Sequence, residues 1–134
     1  MSITEVFPAL GLRIKAGPLE LRGLVDDDLA RLAALAERGI HDPSAMPFYH
    51  PWTDVPAGRL AGNLVQYHWR TRADFTPEKW DLNFGVWRDG ELLSTQGVAT
   101  EHFLVTRTGE TGSWLGHEHQ GQGIGTAMRQ AMCA

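Results

Sequence analysis

Three glycines at alternate positions, Gly121, Gly123 and Gly125, form the most informative pattern in the chain. They follow a short apolar run that contains Trp114, and they precede a stretch with helical periodicity that reaches Met132. A strand, a glycine-rich turn and a helix together form a common phosphate-binding device. Glycine lets the backbone approach the anion, and the free N–H groups of the helix's first turn point at it. The segment therefore predicts a phosphate-binding loop.

Three phosphate-binding patterns compete for this loop. The P-loop requires a lysine before its hydroxyl residue, and no lysine precedes Thr126. The dinucleotide fingerprint G-x-G-x-x-G fails at its third glycine, where Thr126 stands, and the acidic ribose partner about 20 residues further on has no place. The third pattern, Gln/Arg-x-x-Gly-x-Gly/Ala, matches the run from Gln120 to Gly125 at every position. A glycine-rich turn without a ligand is the remaining alternative.

The third pattern is the pyrophosphate loop of the GNAT N-acetyltransferases. The run W-L-G-H-E-H-Q-G-Q-G-I-G-T resembles the branch of that superfamily that includes the ribosomal-protein N-terminal acetyltransferases. The run W-D-L-N-F-G-V-W-R-D-G-E-L resembles the central hairpin of those proteins. The resemblance covers most of the chain, and the loop is its one specific motif. It implies an acyltransferase that moves an acetyl group from acetyl-CoA to a primary amine by direct attack.

The resemblance also implies roles for the loop and for the strand before it. Backbone N–H groups from Gly121 to Thr126 would bind the pyrophosphate, with the Thr126 hydroxyl as a further donor. The backbone around Leu115 would lie beside the pantetheine arm, where an N–H group would polarise the thioester carbonyl. The predicted cofactor-binding residues are Trp114, Leu115, Gly116, Gln120, Gly121, Gln122, Gly123, Ile124, Gly125 and Thr126.

The sequence does not identify the base that deprotonates the amine, and the resemblance leaves a water relay as an alternative to a side-chain base. Glu110, Glu118, His117 and His119 flank the predicted strand and loop, and Glu101 lies upstream. Glu and His are the usual general bases, and a solvated surface position is the alternative interpretation for each residue. We take Glu110 as the candidate catalytic residue. The His117-x-His119 spacing is not a recognised zinc motif, so we predict no metal site.

Length, composition and charge limit the class of protein. The chain has 134 residues, of which 43% are hydrophobic and 21% charged, as expected for one soluble domain. Its net charge of -4 argues against general nucleic-acid binding. The single Cys133 excludes an internal disulfide framework and fits a reducing compartment. With no long apolar run and no secretory signal pattern, we expect a cytoplasmic protein that does not bind membranes.

Residue periodicity predicts the elements that must hold the loop in place. Alternating apolar and charged residues predict one hairpin-like strand over residues 12–22. Acidic residues open a first helix, with Asp26 as its cap and Gly39 as its stop, and residues 57–73 predict a second helix. Alternation over residues 80–99, interrupted by Asp89 and Gly90, predicts a β-hairpin with a type I′ turn. A further strand over residues 108–116 leads into the glycine loop and the last helix.

Residues 40–56 form a long connection between the two predicted helices. Four prolines exclude a regular helix across it, yet it holds Met46, Phe48, Tyr49 and Trp52. A loop with four large apolar side chains should be packed. In the GNAT fold the equivalent segment lines the acceptor side of the cleft, and a cover over an open edge of the core is the alternative.

The order of the predicted elements matches the first two-thirds of a GNAT domain. We therefore predict an α/β (α+β) fold with a mixed, mostly antiparallel sheet flanked by helices. We expect one GNAT-like domain over residues 1–134 that is incomplete at its C-terminus, after the pyrophosphate-loop helix. Such an N-terminal fragment should hold the cofactor loop but turn over weakly or not at all. Its acceptor would be a small-molecule or peptide amine.

The open edge of the predicted sheet bears on assembly. The family places a fifth strand beside the strand that leads into the loop, and an unpaired edge is a site for association. We expect self-association or pairing with a complementing C-terminal fragment. The alternative function is a non-catalytic GNAT-fold module that associates through this edge.

Overall fold

A computed structural model describes residues 1–134 as five antiparallel strands with helices on both faces of the sheet. The strands are β1 (Arg13–Ala16), β2 (Leu19–Gly23), β3 (Lys79–Arg88), β4 (Glu91–Glu101) and β5 (Glu110–Leu115). The helices are α1 (Ile3–Val6), α2 (Asp26–Glu37), α3 (Leu60–Ala73), α4 (Phe103–Thr106) and α5 (Ile124–Cys133). Helices α1 and α4 are single turns that the periodicity did not predict. None of the helices is both long enough and apolar enough to span a membrane.

The sheet runs in the order β1-β2-β3-β4-β5, and every neighbouring pair is antiparallel. This confirms the predicted mostly antiparallel sheet flanked by helices. The predicted first strand is in fact two short strands, because the chain reverses at Gly17, whose φ of +59° is the left-handed conformation that glycine adopts readily. Asp89 and Gly90 have φ values of 51° and 78°, as the type I′ turn requires.

Two apolar clusters cover the two faces of the sheet. The first lies between the sheet and the pair α2 and α3, and the second lies between the sheet and α5. The buried residues of the first cluster are Leu24, Leu29, Leu32, Ala33, Leu35, Ala36, Ile40, Leu64, Trp87 and Leu92. Those of the second are Leu19, Leu21, Phe84, Val86, Leu93, Ile124 and Met128. The sheet is therefore the middle layer of three.

The last helix packs as its apolar pattern predicts. Ile124 and Met128 are buried in the second cluster, and Ala127, Ala131 and Met132 pack against it. A helix of ten residues is marginal by itself in water. Burial of this face on the sheet therefore holds α5, and with it the glycine loop, in position.

The start of α2 differs in detail from the prediction. The carboxylate of Asp28, not that of Asp26, caps the helix by accepting the Val25 N–H at 3.1 Å. Asp26 instead accepts hydrogen bonds from Arg72 at 2.7 Å and Trp69 at 3.1 Å, both on α3. Asp28 therefore caps α2, whereas Asp26 links α2 to α3.

Residues 40–56 are packed in part. Phe48 and Trp52 lie against the first cluster, with ring centroids 5.3 Å apart. Met46 and Tyr49 are exposed. The expectation that all four large side chains are packed is therefore wrong for two of them, because only Phe48 and Trp52 reach the first cluster.

Candidate functional site

Strand β5 ends against α2 at a glycine that has little room for a side chain. A Cβ atom at Gly116 would lie 2.7 Å from Leu35 Cδ1, closer than carbon atoms approach without displacement. The next N–H group, that of His117, donates to Gly39 O at 2.9 Å. These two contacts fix where the chain leaves the sheet, and so where the glycine loop begins.

The glycine loop presents its backbone to open space. Gly121 and Gly123 have φ values of 78° and 79°, and a Cβ atom at either position, or at Gly125, would meet nothing within 4 Å. None of the N–H groups from Gly121 to Thr126 has a hydrogen-bond acceptor within the chain; the first bonded amide is that of Ala127, which donates to Gly123 O at 3.1 Å. The run of free donors includes the first turn of α5, where the helix dipole is positive.

Two glutamine side chains of the loop form hydrogen bonds with the rest of the protein. Gln120 Nε2 donates to Ile40 O at 2.5 Å and to Leu115 O at 2.9 Å, so this side chain ties the loop to the long connection and to β5. Gln122 Oε1 accepts a hydrogen bond from Arg88 Nη1 at 3.2 Å. Both glutamine side chains are thus engaged within the protein, and the loop offers its backbone N–H groups to a ligand.

The backbone groups of β5 alternate between β4 and the open edge of the sheet. Gly116 N–H donates to β4, and Trp114 C=O accepts a hydroxyl from β4, so even-numbered residues turn their backbone groups inward. By the same alternation, the N–H groups of Ser113 and Leu115 face the edge. No strand lies beyond β5, so these edge donors are open.

The side chain of Trp114 joins the predicted site to the long connection. Its ring centroid lies 5.8 Å from that of Trp52, which in turn contacts Phe48. The aromatic chain covers the end of β5 on the α2 side. Residues 40–56 therefore approach the strand that the resemblance places beside the cofactor.

The candidate bases lie in two separate groups. Glu110 is exposed at the first position of β5, about 17 Å from Leu115 at about 3.4 Å per residue. Glu118, in the turn before the loop, accepts from Arg38 Nε at 3.2 Å. His119 is buried, with Nε2 3.4 Å from Glu118 and without a hydrogen-bond partner. His117 is exposed and Glu101 lies on β4 near Glu110. The structure does not gather them into one catalytic group.

Arg88 is a residue of this region that periodicity did not identify. It is the last residue of β3, and it contacts the loop through Gln122. A basic residue before an Asp-Gly turn carries no signal of its own. Its proximity to residue 122, which is 34 positions away, exists only in the folded chain.

Two titratable groups with shifted pKa values lie on α3, away from the loop. Burial lowers the pKa of His68 to about 4, helped by the positive charge of Arg72. Burial, and then the negative charge of Asp81, raise the pKa of Tyr67 to about 12; the Tyr67 hydroxyl donates to Asp81 at 3.0 Å. Both groups are neutral near pH 7, so neither supplies charge to the site.

Comparison with known proteins places this geometry in context. No family model matches the sequence. Among solved structures, the chain resembles RimL, the ribosomal L7/L12 α-N-protein acetyltransferase in complex with coenzyme A, with a TM-score of 0.71 and 17% identity over 91% of this chain and 66% of that one. It also resembles RimJ of Mycobacterium smegmatis in complex with a CoA disulfide, with a TM-score of 0.67 and 19% identity over 91% of this chain and 58% of that one.

A third similar structure is named as a putative ribosomal-protein-serine acetyltransferase from Vibrio cholerae, with a TM-score of 0.66 and 20% identity over 92% of this chain and 66% of that one. At these identities the comparisons show the fold: this chain has the GNAT-like fold that the resemblance implied. The chain spans less than two thirds of the length of the structures it matches.

Proposed function

We propose that this chain carries the cofactor-binding part of an acetyl-CoA-dependent N-acetyltransferase. The observation that carries the proposal is the run of free N–H groups from Gly121 to Thr126, displayed on open backbone at the start of α5. Such a run binds the diphosphate of coenzyme A by hydrogen bonds and by the helix dipole. Two structures of the same fold contain coenzyme A or its disulfide, which supports this choice of anion.

The pantetheine arm would then run along the open edge of β5. Of the three residues predicted there, Gly116 has its N–H bonded to β4, whereas the N–H of Leu115 faces the edge. Trp114 contributes its side chain, which closes the α2 side of the strand. We assign polarisation of the thioester carbonyl to the Leu115 N–H. If the arm lies nearer the start of β5, the Ser113 N–H, two residues earlier, takes this role.

Glu110 remains the proposed base. It lies on the same open edge as the proposed arm, and no cation lies close enough to form an ion pair with it. Glu118 is engaged with Arg38, and His119 is enclosed beside Glu118. Since Glu110 begins β5, about 17 Å from Leu115 at about 3.4 Å per residue, it can accept the proton of the attacking amine only through a chain of water molecules.

The acceptor we propose is a primary amine at the N-terminus of a protein or peptide. The support is the name of RimL, the ribosomal L7/L12 α-N-protein acetyltransferase whose fold this chain resembles. Residues 40–56 reach β5 through Trp52 and would line the acceptor side. We further propose a cytoplasmic location and association of the chain through the β5 edge.

Calorimetry with coenzyme A tests the loop assignment. Gly123→Glu should weaken binding at least tenfold, because a carboxylate and a side chain would occupy the position of the phosphate. Gly58→Glu is the matched control: Gly58 also has a positive φ (84°) and open space around its Cβ position, but it lies before α3. Equal affinity for coenzyme A in the wild type and Gly123→Glu would refute the assignment.

A further inference from the structure

The register of the sheet directs Arg88 toward the glycine loop. Arg88 pairs with Leu19 of β2, and Leu19 is buried in the cluster beneath α5. Paired residues point to the same face of a sheet, as do residues two apart on one strand, and Val86 is buried in that same cluster. The Arg88 side chain therefore extends on the α5 face, at the end of the sheet where the loop begins.

The Arg88 guanidinium forms few polar contacts in this position. It has five N–H donors, and its one hydrogen bond is from Nη1 to Gln122 Oε1 at 3.2 Å. No carboxylate lies within 4.0 Å of it, although Asp89 and Glu91 are close in sequence. Glu91 instead lies 3.6 Å from His119 Nε2. A half-buried cation without a counter-ion thus stands beside a loop of N–H groups without acceptors.

We propose that Arg88 is a cofactor-binding residue, whose guanidinium leaves Gln122 and binds the phosphates of coenzyme A. This inference rests on the proposed function. The loop and the helix dipole supply only partial charges, about half an elementary charge at the helix end. Glu118 and Glu91 add negative charge nearby. A full positive charge beside the loop therefore strengthens its binding of a phosphate group, and guanidinium matches phosphate with two parallel hydrogen bonds.

Binding of coenzyme A and of 3′-dephospho-CoA to the wild type and to Arg88→Gln tests the proposal by calorimetry. Arg88→Gln should weaken coenzyme A binding about tenfold, the size of one charge-assisted contact that is partly exposed. Arg88→Lys should retain part of the affinity, because lysine keeps the positive charge but lacks the paired N–H donors of the guanidinium. Arg31→Gln is the control, since Arg31 is exposed on α2, on the opposite face of the sheet, and should bind as the wild type does.

The two ligands identify the phosphate. An equal loss for both ligands assigns Arg88 to the diphosphate, and a loss for coenzyme A alone assigns it to the 3′-phosphate; either supports the proposal. Wild-type affinity for both ligands in Arg88→Gln, while Gly123→Glu still weakens binding, overturns the role of Arg88 and leaves the proposed function intact. An equal loss in Arg31→Gln also overturns it. Absence of coenzyme A binding by the wild type would instead overturn the proposed function.

Discussion

The buried imidazole of His68 should make the protein lose stability in mild acid. His68 is 5% exposed on α3, and its pKa falls from 6.5 to about 4 in the folded protein, chiefly through burial. Between these values the unfolded chain binds a proton that the folded chain excludes, so the free energy of unfolding decreases as the pH is lowered. Each pH unit in that window is worth about 1.4 kcal/mol, which gives about 3 kcal/mol between pH 7 and pH 4.

Removal of the imidazole isolates this contribution. His68→Phe keeps a ring of similar size, and the cavity of about 30 Å³ that His68 lines can accept the small increase in volume. The carboxyl groups with lowered pKa values, Asp26 and Asp42, lose their contributions only below their ordinary value of 3.8. They therefore do not mimic the effect of His68 above pH 4.

Urea denaturation at several pH values, followed by tryptophan fluorescence, measures the effect. The wild type should lose about 3 kcal/mol more than His68→Phe between pH 7 and pH 4. The control is His50→Phe, which replaces an exposed histidine and should keep the wild-type slope. If His68→Phe loses stability with the same pH dependence as the wild type, then His68 is not the neutral, buried group that the structure describes.

Two further predictions concern the glycines and the open edge. Gly116→Ala should destabilise the protein by about 1–3 kcal/mol, because its Cβ would lie 2.7 Å from Leu35 Cδ1. Gly125→Ala, in the open first turn of α5, should be neutral or slightly stabilising. Thermal denaturation compares the two variants, and equal effects would contradict the packing described. Light scattering should show a mass that rises with protein concentration, and Ser113→Pro should reduce this association by removing an edge N–H from β5; a mass that stays monomeric throughout would exclude pairing through the β5 edge.

Local patterns in the sequence determined most of the elements and their order, although they missed the single-turn helices α1 and α4 and the break between β1 and β2. The Asp89-Gly90 turn, the apolar face of α5 and the glycine loop all follow from residues that are close along the chain. Turn chemistry and periodicity depend on such neighbours, and so they can be read without the fold. The motif that begins at Gln120 identified the loop for the same reason.

The tertiary structure decided how these elements meet. The bond from Gln120 to Ile40 joins residues 80 positions apart, and that from Arg88 to Gln122 joins residues 34 apart. Such contacts depend on strand register and on where helices pack, which periodicity does not specify. The neutral state of His68 likewise follows from burial between α3 and the sheet. The sequence determined which backbone can bind an anion, and the packing of the sheet decided which side chains surround it.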